Sequence, residues 1–152
     1  MSEITLSRVV AAPPERVWEV LTDVAHAAET LSGVTEVQLM TDGPYAVGTR
    51  WRETRAMLGK AMTEEMWVSA CDPLRSTQVQ AESGGAVFAT DFTLTPLEDG
   101  ARTELTVRFS AEMSKTSGFK PLVMKLFAGM AARASSRALE KDLADIAAAA
   151  ER

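Results

Sequence analysis

Residues 9–24 read VVAAPPERVWEVLTDV, and the character of the chain changes in the middle of them. The segment EITLSRVVAA (3–12) is rich in Ile, Leu, Val and Thr and reads as a strand. Pro13 and Pro14 end it, because neither can donate to a ladder. Proline is well placed in a first helical turn, whose N–H would go unpaired anyway. Glu15 then stands at the positive end of the helix dipole, and Val17, Val20, Leu21 and Val24 recur at helical spacing. A second short helix is expected at about 24–31 (VAHAAETL), with Ser32-Gly33 as its stop and the glycine as the terminating residue.

From Val34 to about Met113 the pattern reads as strands only. VTEVQLM (34–40) ends at Thr41-Asp42-Gly43-Pro44. GTRWRETRAML and KAMTEEMWVSA surround Gly59-Lys60, whose leading glycine suits a two-residue II′ hairpin loop. That loop sets Met57 opposite Met62, Arg55 opposite Glu64, Glu53 opposite Met66 and Trp51 opposite Val68, with Arg52 and Trp67 paired on the other face. RSTQVQAE (75–82), AVFATDFTLTPL (86–97) and RTELTVRFSAEM (102–113) complete the set, with Phe88, Phe92 and Leu94 on one face and Leu105, Val107 and Phe109 on another. Residues from about 119 to 150 read as one long helix, with Phe119, Leu126, Phe127 and Met130 in an apolar stripe continued by Leu139, Leu143 and Ile146. Its AAAAER tail is expected to fray.

The 152 residues fit one domain, 1–152, and a chain of this size buries roughly 70% of its unfolded surface, enough for a core without staples. A net charge of -5 argues against a nucleic-acid partner, which needs a basic excess to displace counterions. Cys71 is the single cysteine and His26 the single histidine, so neither a disulfide nor a His- or Cys-rich metal site is expected, and no cofactor is called for. No apolar run approaches the ~18 residues of a membrane span, so no stable membrane insertion is expected. MSEITLSRVV lacks a basic stretch followed by an apolar one, so no signal peptide is expected and a cytoplasmic location is the default.

Strand, two short helices, six strands and one long helix make an α+β order. A curved seven-stranded antiparallel sheet must cover its apolar face, and the long C-terminal helix is the only element large enough to do so, which is a helix-grip arrangement. AAPPERVWEVLTDV, VGT at 47–49, DPLR at 72–75 and LTPLEDGARTELTV at 94–107, closed by the long helix, resemble the START-like SRPBCC superfamily, nearest its polyketide cyclase/dehydrase and lipid-transport group. These landmarks are turns, caps and strand ends. The resemblance therefore implies the fold and a central apolar cavity, used by members for lipids, hormones, polyketides or isoprenoid quinones, and does not by itself assign an activity.

The hairpin face bearing Trp51, Met57, Met62, Met66 and Val68 is the more apolar and reads as the concave one; the opposite assignment would put Trp67 inside. On the first reading Glu53, Arg55 and Glu64 point toward the cavity, and the cost of burying charge calls for a cross-strand Arg55–Glu64 ion pair. That pair is either a polar anchor for a ligand or a wetted ion pair near the sheet edge. Trp51, Met57, Met62, Met66, Phe88, Phe92, Phe109, Phe119, Leu126, Phe127 and Met130 are the expected apolar lining, although the same spacings also build plain cores. Three functions follow. The leading one is a carrier or sensor of a hydrophobic small molecule. The second is a polyketide cyclase/aromatase-type enzyme, with Glu64 or Glu53 as acid/base and Arg55 orienting an oxygen. The third is an interaction module of co-chaperone or antitoxin type, using Trp67 and Arg52. His26 is expected on the surface and Cys71 as a structural thiol. Oligomeric state has no signature in the sequence.

Overall fold

The computed structural model describes residues 2–57, 59–83, 86–113 and 121–152, with the backbone alone for 2, 57, 83, 86, 112, 113 and 121–135. Strand β1 (Ser2–Val10) gives way to helix α1 (Pro14–Thr22), with Pro14 buried in its first turn. A 3-10 turn at Val24–His26 leads into the short helix α2 (Ala27–Thr30). The chain leaves α2 through an extended Leu31 (φ −96°, ψ 112°), so Gly33 is not the left-handed cap expected of it. Gly33 lies instead beside the Arg55 side chain, and a Cβ there would sit 3.4 Å from Arg55 Nη1.

The remaining strands are β2 (Val34–Leu39), β3 (Arg50–Met57), β4 (Lys60–Asp72), β5 (Ser76–Ser83), β6 (Ala86–Leu97) and β7 (Arg102–Met113). With β1 they form one seven-stranded antiparallel sheet in the order β1-β7-β6-β5-β4-β3-β2. β2 to β7 are a plain meander, and β1 returns to pair with β7. Helix α3 (Pro121–Ala150) follows. The α+β helix-grip architecture implied by the element order is the one the chain adopts.

The β3–β4 register differs from the expected one. Met57 pairs with Lys60, so the turn centres one residue earlier, and Gly59 takes the left-handed conformation there (φ 77°). Arg55 therefore opposes Met62, Glu53 opposes Glu64, Trp51 opposes Met66, and Arg50 rather than Arg52 opposes Trp67. Moving the turn by one residue moves the pairing by two. Each side chain consequently keeps its expected face while changing its partner.

The main core gathers Val10, Val17, Leu94, Leu105 and Val107 with Leu139, Leu143, Ile146, Ala147 and Ala150 of α3. The end of α3 does not fray as its composition suggests. Ala150 is buried, Glu151 accepts from the Ala11 N–H at 2.8 Å, and Arg16 donates to the Ala149 carbonyl at 3.0 Å. Asp145 accepts from both the N–H and the hydroxyl of Ser32, at 2.9 and 2.8 Å, which ties α3 to the segment between α2 and β2.

Candidate functional site

Between the sheet and α3 lies a cavity of about 430 Å³. Alternation along the strands delivers the side chains that line it. Trp51, Glu53 and Arg55 come from β3, and Met62, Glu64 and Met66 from β4; Phe88 and Phe92 come from β6 and Phe109 from β7. The hairpin face read as concave is thus the face that lines the cavity. Phe88 and Phe109 stack, with centroids 5.6 Å apart. Lys60 and Met62 are exposed as well as cavity-lining, so the space opens to solvent beside them. Of the remaining sequence candidates, Phe119 lies outside the described residues, as do the side chains of Met57, Leu126, Phe127 and Met130.

The expected Arg55–Glu64 ion pair is not formed. Arg55 Nε donates to Glu53 Oε2 at 2.8 Å, and its Nη1 and Nη2 donate to Asp142 Oδ1 and Oδ2 at 3.2 and 2.8 Å. Two causes combine. The register places Met62, not Glu64, opposite Arg55, and the forked guanidinium matches the Asp142 carboxylate bidentately. Glu53 and Asp142 are both buried, which makes Glu53–Arg55–Asp142 an interior charged triad. Burial alone would lower the Arg55 pKa, but Asp142 and Glu53 outweigh it, and the guanidinium is held in its charged form. Burial pushes Asp142 above the usual carboxylate range despite the pull of Arg55.

Glu64 stands directly across from Glu53, half-buried, with no ion-pair partner among the described residues. Burial raises its pKa, and the Glu53 carboxylate raises it further, while Arg55 acts the other way. Of the groups named for acid/base chemistry, Glu53 is held by Arg55, whereas Glu64 has no ion-pair partner among the described residues.

Sequence reasoning missed several lining residues. Asp142 belongs to a row Ala138, Asp142, Ile146 of α3 that faces the cavity. A charged residue inside the stripe Leu139, Leu143, Ile146 was the available signal. Tyr45 also lines the space. Its hydroxyl donates to Thr77 Oγ1 at 2.7 Å, since Thr77 itself donates to the Ala70 carbonyl at 3.1 Å. Burial pushes the Tyr45 hydroxyl up to about 12, against the Thr77 bond. The indole N–H of Trp51 is fully enclosed and has no acceptor among the described residues, so that ring serves as wall.

The remaining candidates lie elsewhere. His26 is exposed and bonded through Nδ1 to Asp23 at 2.9 Å. Cys71 is half-buried, with burial and then Asp72 pushing its thiol up, which disfavours the thiolate. On the outer face the Arg50 guanidinium, not that of Arg52, lies 5.0 Å over the Trp67 ring, and Trp67 Nε1 donates to Gln80 at 3.2 Å. The described residues contain no group of three or more His, Cys, Asp or Glu placed to hold a metal ion.

A family described as polyketide cyclase/dehydrase and lipid transport matches the chain over residues 1–151. Similar solved structures include the Zhui aromatase/cyclase from Streptomyces sp. R1128, with 21% identity, a TM-score of 0.81, and coverage of 99% of this chain and 94% of that one. A protein from Thermus thermophilus shares 17% identity with a TM-score of 0.80, covering 98% and 97%. Truncated norcoclaurine synthase from Thalictrum flavum shares 16% identity with a TM-score of 0.74, covering 96% and 91%. At these identities the likeness speaks to the fold. No curated protein sequence matches the chain.

Proposed function

The chain belongs to the polyketide cyclase/dehydrase and lipid-transport family, and from that premise we propose that it binds and carries a hydrophobic small molecule in the space under α3. The observation that carries this reading is the cavity itself. About 430 Å³ falls in the range that encloses a drug-sized ligand, and its wall is mostly apolar and aromatic with a few convergent polar groups. No described helix is long and apolar enough to cross a membrane. We take the setting to be cytoplasmic as part of the same proposal. Native mass spectrometry of protein purified gently from its host tests it. A bound mass that departs on denaturation supports the carrier, and only bare protein, with no uptake of an apolar dye, contradicts it.

Glu64 favours a second reading, an enzyme of cyclase type. It is a carboxyl that burial and Glu53 hold above the usual carboxylate range, on an apolar wall, in a fold shared with an aromatase/cyclase. In that reading Glu64 moves the proton, and the Glu53–Arg55–Asp142 triad positions a substrate oxygen through the guanidinium N–H groups it leaves free. Glu64→Gln would then abolish turnover of a bound polyketide-like chain while leaving its binding intact.

A further inference from the structure

We propose that the molecule held in this cavity is an apolar amine, a hydrophobic body ending in one cationic nitrogen that docks against Glu64. The inference rests on the carrier reading of the same cavity and specifies its ligand.

Arg55 bears first on the charge such a ligand can carry. A buried guanidinium is the usual receptor for a carboxylate or phosphate head group. Here it is already claimed twice, by Glu53 through Nε and by Asp142 through Nη1 and Nη2. Glu64 adds a third carboxyl on the same wall, directly opposite Glu53. Three carboxyls thus face one guanidinium, and an anionic ligand would add a fourth negative group. Like charges directly opposite one another repel, and a partly desolvated carboxylate lacks a counter-ion. A cationic nitrogen beside Glu64 relieves both. Lys60 lies on the same face of β4 but is exposed at the opening, and no ion pair joins it to Glu64 among the described residues. Asp23 lines the cavity too, but it is exposed and bonded to His26, so Glu64 is the carboxyl left for a ligand. Val79, Ala81, Phe88 and Phe92 supply the wall for the apolar body.

The experiment is displacement of Nile red, a neutral dye, by three probes of equal chain length: decylamine, decanol and decanoate at pH 7.5. The expected order is decylamine, then decanol, then decanoate, with decylamine effective at a concentration at least about tenfold below decanoate, the size of one charge-assisted hydrogen bond. Glu64→Gln should collapse that gap, whereas Glu36→Gln, which removes one exposed charge and leaves the cavity untouched, should keep it. Decanoate matching or beating decylamine while Nile red still binds would overturn the amine assignment and leave the carrier reading standing. An equal loss of preference in both variants would overturn it too, by tracing the preference to overall charge. Failure of Nile red and all three probes to bind would remove the cavity as a ligand site and the proposal with it.

Discussion

Leu105 and Val107 of β7 have no exposed surface and belong to one packed cluster with Leu143, Ala147 and Ala150 of α3. A few strands away, Trp51 of β3 and Val79 of β5 belong to a thinner cluster, and their inner side faces empty space. One sheet and one helix therefore enclose a filled end and a hollow end. The difference lies in the residues. Large aliphatic side chains from β1, β6, β7 and α1 meet those of α3 at the filled end. Toward the hollow end the sheet and helix present Ala81 and Ala138, together with carboxyls and a guanidinium that consume one another. Stability should therefore be concentrated at the first end and ligand chemistry at the second.

The largest effect should come from emptying the filled end. Leu105→Ala should cost about 3 kcal/mol in urea denaturation, as full burial with little freedom to collapse implies, and the folded variant should bind Nile red as the parent does. A loss of dye binding equal to the loss of stability would mean that the two ends are not separate.

Arg55→Gln comes close behind, because it leaves Glu53 and Asp142 buried without their cation. A loss of about 3 kcal/mol at neutral pH is expected, shrinking in acid as Asp142, which burial already raises, takes up its proton. A loss under about 0.5 kcal/mol would place the triad in water, where ion pairs contribute that little, and would make the hollow end an open groove.

A smaller effect should appear with pH. The folded-state pKa of Glu64 lies above its ordinary 4.5, so the folded protein holds that proton more tightly than the unfolded chain. Its ionisation is therefore destabilising. The penalty is absent below about 4.5, grows as pH rises toward the folded-state value, and is complete above it. Asp142, raised from 3.8, acts in the same direction. Urea midpoints should fall as pH rises through this window, and Glu64→Gln should flatten the fall. A midpoint that rises with pH in both proteins would contradict the desolvated carboxyl. Smallest of all, Met62→Leu at the exposed opening should change stability by less than about 0.5 kcal/mol, with any effect confined to dye affinity.

The fold was legible from residues 9–24 and from strict alternation in β6 and β7, because prolines and period-two patterns act locally. The hairpin shows the limit. A II′ loop on Gly59-Lys60 and the actual turn one residue earlier give the same faces, so Trp51, Arg55, Glu64 and Met66 were correctly sent inward. Pairing depends on the turn itself, so the partner of Arg55 was misread. Asp142 lies 87 residues from Arg55 in the chain, and no local pattern joins them. Only the passage of α3 across the sheet does so. Tyr45 was invisible for a similar reason, since it belongs to a loop segment between β2 and β3 without periodicity.

The hollow end is tested most directly by one paired urea melt, Ala81→Leu against Ala147→Leu. Both alanines are buried, at 3% and 1% exposure, the first lining the cavity and the second inside the packed cluster. Ala147→Leu should lose about 2 kcal/mol through overpacking, while Ala81→Leu should be neutral or slightly stabilising and should weaken Nile red binding. Equal losses in the two variants would show that the space beneath α3 is already full.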